Sequence, residues 1–161
     1  MSDTLQAETT ARDFDFLLGS WNVANRRLKR RLAGSDDWEE FASTSVARPI
    51  LDGLGNEDVF TTDHDGGFVG MSFRFFDPER QRWSIYWVSS ASGLLQAPVH
   101  GRFAGGVGRF EGEDVDGGRA VKVVYLWEEI TAASARWSQA FSYDDGATWE
   151  TNWIMEFQRS A

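Results

Sequence analysis

The sequence predicts an all-β protein: an antiparallel up-and-down β-barrel of about eight to ten strands, preceded by a short N-terminal helical turn. Three observations lead to this fold class. Runs of about 6 to 12 residues rich in Val, Phe, Trp and Tyr alternate with clusters of Gly and Asp, the residues that tight turns require. Apolar and polar side chains alternate along most of these runs, as on strands with one buried face. No second helix long enough for a βαβ crossover is present.

The chain begins with a polar segment and then a single helical turn. We predict that residues 1–13 form a flexible N-terminal tail and that residues 14–161 form one barrel domain, a common length for a single domain. Residues 10–13 read Thr-Ala-Arg-Asp, a pattern that caps a helix. The apolar residues with the spacing of one helical face are Phe14, Leu17, Leu18 and Trp21. A Gly-Ser pair at 19–20 ends the turn.

The rest of the chain is predicted to be strands joined by tight turns. The predicted strands are 20–31, 37–48, 55–62, 67–76, 81–89, 99–104, 107–114, 119–130, 134–143 and 150–159. About ten antiparallel strands curl and close rather than stay flat, and closure leaves no unpaired edge. We therefore expect a closed or nearly closed barrel.

Alternation assigns side chains to a packed face and a solvent face. The predicted packed residues are Val69, Met71, Phe73, Phe75, Trp83, Ile85, Trp87, Val121, Val123, Tyr125, Trp127, Trp137, Phe141, Tyr143, Trp153, Met155 and Phe157. The predicted solvent-facing residues include Ser72, Arg74, Ser84, Lys122, Ser138, Asn152 and Glu156. The basic run at 26–31 is predicted to lie on a solvated edge strand, where charge deters the addition of another strand.

Composition and charge exclude several classes of function. The 161 residues carry 25 Asp and Glu against 16 Lys and Arg, a net charge of −9. This balance argues against binding to nucleic acid or to an anionic membrane, because both need a positive surface. The absence of cysteine excludes disulfides, a thiolate nucleophile and Cys-ligated metals. No signal-peptide pattern or membrane-spanning apolar run is visible, so we expect a cytoplasmic protein.

The segment at 14–23, Phe-Asp-Phe-Leu-Leu-Gly-Ser-Trp-Asn-Val, resembles the first segment of lipocalins and related calycin barrels. In that group a helical turn closes one end of the barrel and the Trp of Gly-x-Trp packs beneath it. The resemblance implies this structural role for Trp21. It also implies that a basic residue of the last strand, Arg159, stacks on the indole, a contact worth about 0.5–2 kcal/mol.

A second motif occupies residues 142–149, which match the Ser-x-Asp-x-Gly-x-Thr-Trp pattern of the Asp-box in sialidase propellers. In sialidases the box is structural and repeats once per blade. It occurs once here, so we predict a hairpin and no glycosidase activity. The structural residues are Asp144, which can bind amides across the turn, Gly146 at a positive φ, and Trp149, predicted to cover the corner.

The beginning and the end of the chain together resemble an uncharacterised bacterial family of single-domain proteins, a domain of unknown function. Residues 14–21 follow Phe-Asp-Phe-x-x-Gly-x-Trp and residues 146–153 follow Gly-x-Thr-Trp-Glu-x-Asn-Trp. The segments at 83–87, 97–103 and 136–142 also fit. The resemblance covers nearly the whole chain and implies a calycin-like barrel. It brings no activity and no catalytic residues.

Aromatic side chains concentrated on the packed face predict a ligand site. The predicted ligand-binding residues are Trp87, Tyr125, Trp137, Gln139 and Trp153. Gln139 is a polar residue on this face, and a buried amide without a partner costs about 1–3 kcal/mol. Its partner is either a protein group such as Tyr125 or a bound molecule. The leading hypothesis is a barrel that binds a small apolar or aromatic ligand, with no cofactor and no metal.

An enzyme on the same barrel is the first alternative. His100 follows a long loop at 89–98 that can fold over the mouth as a lid, and its imidazole is a candidate general base or haem ligand. Alternation nevertheless turns His100 away from the apolar face. The other histidine, His64, lies in Asp-His-Asp-Gly-Gly, which we interpret as a hairpin turn rather than a metal site because it lacks the ligands of calcium and zinc sites.

Homo-oligomerisation of a solid-core barrel is the second alternative. It requires apolar side chains on the outer face of the strands. The residues predicted to form such an interface, as in a homodimer, are Phe68, Phe76, Tyr86 and Val88.

Overall fold

A computed structural model describes residues 9–160 and has the predicted all-β barrel. The strands are β1 (Gly19–Leu28), β2 (Trp38–Ile50), β3 (Gly55–Thr62), β4 (Phe68–Asp77), β5 (Arg82–Ser89), β6 (Val99–Ala104), β7 (Val107–Asp116), β8 (Arg119–Glu128), β9 (Ser134–Ser142) and β10 (Glu150–Arg159). Each strand pairs antiparallel with the next, and β1 pairs with β10, which closes the barrel. The helices among these residues are single 3-10 turns, and none has the length or apolar character needed to cross a membrane.

The segment before β1 caps one end of the barrel. Thr9 is buried, and the Thr10 backbone N–H donates to Asp13 Oδ2 (2.9 Å), as the capping pattern predicts. The helical spacing that follows produces only a 3-10 helix at Asp15–Leu17, because the chain enters β1 at once. Residues 1–8 of the predicted tail lie outside the described residues, so the tail and domain bounds stay predictions.

Trp21 is the centre of the closed end. It is fully buried on β1, and its indole Nε1 donates to the Leu17 carbonyl (2.8 Å). The Arg159 guanidinium lies 4.1 Å from the indole centroid. The same guanidinium donates to the carbonyls of Phe16 (2.7 Å) and Leu18 (2.8 Å). The last strand therefore holds the N-terminal turn in place, in the arrangement that the calycin resemblance implies.

Aromatic packing fills the closed half of the barrel. The Phe14 ring packs edge-on against Trp83 and Phe103, each at a centroid distance of 4.9 Å. It also stacks on Phe110 at 5.6 Å. Edge-to-face pairs of this kind add roughly 0.5–1.5 kcal/mol beyond their buried area. This half is a solid core, so any internal space lies towards the other end.

The predicted faces of β4 are wrong. Phe76 and Arg74 point inward and are buried, and Ser72 lines the interior, whereas Phe73 and Phe75 lie on the outer side. The alternation of apolar and polar residues does not show which face of β4 is packed, because both of its faces carry apolar residues. The inward direction of Arg74 depends on an acid supplied by the neighbouring β3.

The correction to β4 also changes the predicted oligomer interface. Phe68 packs against the core and Phe76 belongs to it, so neither is available on the outer face. Tyr86 and Val88 do face outward. They are paired across the sheet with Phe73 and Met71, which replace the two inward residues on that outer surface.

Asn152 was predicted to face solvent, and it is buried at 2% exposure. A register shift between Thr151 and Trp153 in the pairing of β10 with β9 turns both Asn152 and Trp153 towards the interior. A β-bulge of this kind breaks simple alternation, because two residues then oppose one on the partner strand.

The basic run at 26–31 does not lie on an edge strand, contrary to the prediction. β1 is paired on both sides, with β2 and with β10, and the strand ends at Leu28. The charges of the run divide between faces: Arg27 points into the barrel, whereas Arg26 lies outside beside Glu40. Closure of the barrel thus removes the edge that the prediction assumed.

Candidate functional site

A cavity of about 330 Å³ occupies the open half of the barrel. This volume lies at the small end of ligand pockets. Its aromatic wall consists of Phe60, Trp87, Tyr125, Trp127, Trp137, Phe141, Trp153 and Phe157. The cavity therefore has the size and lining of a site for a small molecule.

The aromatic rings of the wall stand at steep angles to one another. The Trp153 ring is nearly perpendicular to Trp137, with a centroid distance of 5.9 Å and an angle of 84°, and to Trp87, at 6.5 Å and 84°. Tyr125 meets Trp137 at 5.1 Å and 66°. A wall built in this way presents ring faces as well as ring edges, so it can stack on a flat molecule and contact its rim.

All five residues predicted to bind ligand line this cavity, contributed by β5, β8, β9 and β10. The Gln139 Nε2 donates to Asn152 Oδ1 (2.7 Å), so its partner is Asn152 rather than Tyr125. The Nδ2 of Asn152 has no hydrogen-bond partner within residues 9–160. The indole of Trp153 donates to Asn25 Oδ1 (3.0 Å). Binding of a ligand by these residues stays a prediction.

Tyr125 places a hydroxyl on the cavity wall. Burial, reinforced by the charge of Asp114, raises the pKa of this phenol to about 12. The hydroxyl is thus neutral at physiological pH and keeps its proton. No hydrogen bond to a residue of the described chain contributes to this shift, and the hydroxyl is able to donate to or accept from a bound molecule.

A buried ion pair forms the floor of the cavity. The Arg74 Nη1 lies 2.9 Å from Asp58 Oδ1 and donates to Asn56 Oδ1 at 2.9 Å. The guanidinium is also 5.3 Å from the Phe14 ring and 5.9 Å from the Trp127 ring. The pair therefore separates the solid aromatic end of the barrel from the cavity, with its charges compensated by each other.

Arg27 lies at the mouth, above the aromatic wall. Its guanidinium is 4.9 Å from the Trp153 ring, and its Nε donates to Glu39 Oε1 (2.9 Å). His64 Nε2 lies 3.0 Å from Glu39 Oε2. Burial tends to raise the pKa of Glu39, but the hydrogen bonds from Arg27 and His64 outweigh burial and lower it. Glu39 is thus held as a carboxylate between two basic side chains.

Glu39, His64 and Asp65 bring three ligand atoms within 4.8 Å of one another. Arg27 contacts both carboxylates, at 2.9 Å for Glu39 and 3.8 Å for Asp65. A guanidinium in this position supplies the positive charge that a metal ion would bring. The cluster is therefore a hydrogen-bonded turn at the mouth, and the absence of a metal stays our prediction.

The connection between β1 and β2 is tied across the mouth to the end of β7. Arg31 makes a two-pronged contact with Asp116, at 2.7 and 3.0 Å. The Tyr143 hydroxyl donates to the same carboxylate at 2.6 Å. The Arg31 hydrogen bond is the main cause that lowers the pKa of Asp116. Each side chain of this ion pair neutralises the charge of the other.

His100 lies on the outer side of β6 and does not line the cavity. Its Nδ1 is 2.7 Å from the Ser84 hydroxyl, and burial followed by the charge of Arg82 lowers its pKa. From the loop before it, only Gln96 reaches the cavity, whereas Leu94 remains exposed to solvent. The two leucines of that loop therefore do not cover the mouth.

The Asp-box residues form a self-bonded hairpin away from the cavity. Asp144 accepts from the backbone N–H of Thr148 (2.8 Å) and from the hydroxyls of Thr148 and Ser142. The hydrogen bonds from Thr148 are the first cause that lowers the pKa of Asp144 to about 2. Gly146 has φ +91°, and Trp149 is 41% exposed beside it.

Several polar residues of the site were not predicted from the sequence: Asn25, Arg27, Asp58, Arg74, Asp114 and Asn152. A signal for four of them was present. Asn25 and Arg27 have the same parity as Trp21, and Asp58 has the same parity as Phe60. Asp114 likewise has the parity of Phe110, so alternation extended to β1, β3 and β7 places all four inside.

No family model matches this chain, and no curated protein matches it. A similar solved structure is the S-type phycobiliprotein lyase CPES from Guillardia theta, with a TM-score of 0.60 and 12% sequence identity over 92% of this chain and 90% of that chain. At this identity the likeness concerns the fold alone, and it supports the closed antiparallel barrel. Membership of the bacterial family stays a prediction.

Proposed function

We propose that this protein binds a small, largely apolar or aromatic molecule inside its barrel. The observation that carries the proposal is the cavity of about 330 Å³, whose wall is aromatic and whose three arginines are each paired with an acid. In sites for small molecules, apolar walls supply affinity and placed polar groups fix orientation. A cavity of this size suits a molecule of roughly one or two rings.

The proposed roles follow from the positions of the side chains. Trp87, Trp137 and Trp153 contact the flat faces of the ligand. The Tyr125 hydroxyl and the Gln139–Asn152 pair supply hydrogen bonds to its rim. Because the Gln139 amide already has a partner at 2.7 Å, the pair is held in one orientation before the ligand enters.

The enzymatic alternative receives less support from the site. His100, its candidate base, lies on the outer side of the barrel, and His64 is bound to Glu39 at the mouth. The similar solved structure is named a phycobiliprotein lyase, so barrels of this fold include enzymes. At 12% identity that activity is not carried over to this chain.

The proposal is tested by titrating naphthalene and indole into the protein and measuring heat by calorimetry. Ser72 is a small residue on the cavity wall, so Ser72→Leu adds apolar atoms to the space that the ligand would occupy. Ser20→Leu adds the same atoms to the outer side of β1, where Ser20 is exposed, and serves as control. We expect saturable binding that Ser72→Leu weakens and Ser20→Leu does not. Absence of binding to both probes would contradict the proposal.

Self-association is a second candidate function, and the outer surface of β4 and β5 favours it. Phe73 and Tyr86 lie opposite each other on this surface, as do Met71 and Val88. Val59 on β3 extends the same apolar patch and is 37% exposed. A second copy of the chain is the proposed partner, since a two-fold interface brings such a patch against itself. Sedimentation as a monomer at high concentration would exclude it, and Phe73→Lys should dissociate a dimer.

A further inference from the structure

The charged residues that line the cavity are nearly all paired. Three arginines and three aspartates belong to the lining. Arg74 is paired with Asp58 at 2.9 Å, Arg31 with Asp116 at 2.7 Å, and Arg27 with Glu39 of the mouth at 2.9 Å. Among the residues that the structure describes, Asp114 is the lining charge that has no ion pair.

Asp114 is placed by β7 on the inner side, towards the mouth. Phe110 lies opposite Tyr125 in the β7–β8 pairing, and Asp114 follows on the same face one step beyond Gly112. It is half-buried, and one of its carboxylate oxygens accepts from the Val115 backbone N–H (2.8 Å). The negative charge of Asp114 acts on a group inside the barrel, because it contributes to the raised pKa of Tyr125.

We propose that the ligand carries a basic nitrogen: a protonated amine attached to a flat aromatic ring, with the amine at Asp114 and the ring between the tryptophans. This inference rests on the proposed function. A cation that leaves water needs a compensating charge, and Asp114 offers one that no arginine already uses. The faces of indole rings also attract cations.

An anionic ligand fits the same cavity poorly. A carboxylate would have to compete for an arginine with the acid that already binds it, and it would meet the unpaired charge of Asp114. The net charge of −9 further repels anions and attracts cations from solution. The cavity therefore discriminates by the sign of the ligand charge as well as by shape.

Three probes with the same ring system test the charge preference: 1-naphthylmethylamine, 1-naphthalenemethanol and 1-naphthoate. Their dissociation constants are measured by calorimetry at pH 7 and low salt. We expect the dissociation constant of the amine to be lower than that of the carboxylate by a factor of about ten or more, with the value for the neutral alcohol between them. Asp114→Asn should bring the amine close to the alcohol. Glu113→Gln removes the same charge from the exposed neighbouring position on β7 and should leave the order unchanged.

The outcomes separate the inference from the proposed function. If the carboxylate binds the wild-type protein as tightly as the amine, the charge preference is overturned while ligand binding stands. If Glu113→Gln weakens the amine as much as Asp114→Asn does, net charge explains the result and Asp114 has no local role. If none of the three probes binds the wild-type protein, the proposed function fails and the inference fails with it. The probe order in the wild-type protein tests the charge preference of the cavity even if a variant does not fold, and the two variants together test the role of Asp114.

Discussion

Replacement of Asp58 by Asn should destabilise the barrel more than any change on its surface. Asp58 and Arg74 expose 8% and 5% of their side chains. Asp58→Asn keeps the shape of the side chain and its contact with the Ser45 hydroxyl at 2.9 Å, but removes the charge. Arg74 cannot lose its proton, so the variant leaves an uncompensated cation between the Phe14 and Trp127 rings.

Breaking a buried ion pair from one side costs about 3–5 kcal/mol. Domains of ordinary stability unfold with roughly 5–15 kcal/mol, so the variant should remain folded in water but lose much of its stability. The double variant Asp58→Asn with Arg74→Met removes both charges. Its loss should be smaller than the sum of the two single losses by roughly 0.5–3 kcal/mol, as expected for residues in direct contact.

Urea unfolding at 25 °C, followed by tryptophan fluorescence and far-UV circular dichroism, measures these free energies. The control is Arg109→Met, which breaks an ion pair with Glu111 whose side chains are 53% and 62% exposed. That loss should stay under about 1 kcal/mol. An Asp58→Asn variant as stable as the Arg109→Met control would refute the argument, because water would then be solvating Arg74.

Three further predictions concern other parts of the barrel. Gly19→Ala places a Cβ 2.7 Å from Arg159 Nη1 at a backbone φ of +113°, and it should lower the free energy of unfolding by about 1–3 kcal/mol. The control Gly34→Ala also has a positive φ but open space around the new Cβ, so its loss should be about 1 kcal/mol. Urea unfolding measures both free energies. The pKa of Asp144 is lowered from 3.8 to about 2, so its stabilising effect is present above pH 4 and is lost as pH falls towards 2. The urea midpoint of Asp144→Asn should therefore change less with pH over that range than the midpoint of the wild-type protein. The pKa of Tyr125 is raised from 10.0 to about 12, so the free energy of unfolding should fall as pH rises from 10 to 12. Tyr125→Phe should remove one phenol from the ultraviolet titration near pH 12, and this variant should lose less stability over that pH range.

The barrel was predictable because its strands repeat one simple pattern. Apart from the end of β1, which stops at Leu28 rather than residue 31, the predicted strand ends lie within about two residues of the observed ones. The turns were predictable because they depend on a few neighbouring residues, such as Asp144, which accepts a hydrogen bond across the last hairpin, and Gly146, which has a positive φ there. Most aromatic residues of the cavity wall were identified by the same alternation, since β5, β8 and β9 each have one clearly apolar face, whereas Phe60 on β3 was not among the predicted packed residues.

The polar side of the cavity was harder to predict, because it depends on pairs of strands. Arg74 can face inward only because Asp58 on β3 lies beside it. The sequence of β3 or of β4 taken separately does not show this contact. Asn152 enters the interior through a register shift, which depends on how β10 pairs with β9. Alternation within one strand contains no information on either contact.

The pairing of β1 with β10 has a consequence for how the protein folds in the cell. Arg159 contacts Leu18 across 141 residues of sequence, so the seam that closes the barrel joins the first strand to the last. Loop-closure entropy makes such distant pairings slow to form. During synthesis β1 waits with an unpaired edge until β10 leaves the ribosome, and an open edge of this kind is a template for aggregation. Yield should therefore depend on the translation rate and on chaperones that shield the nascent chain.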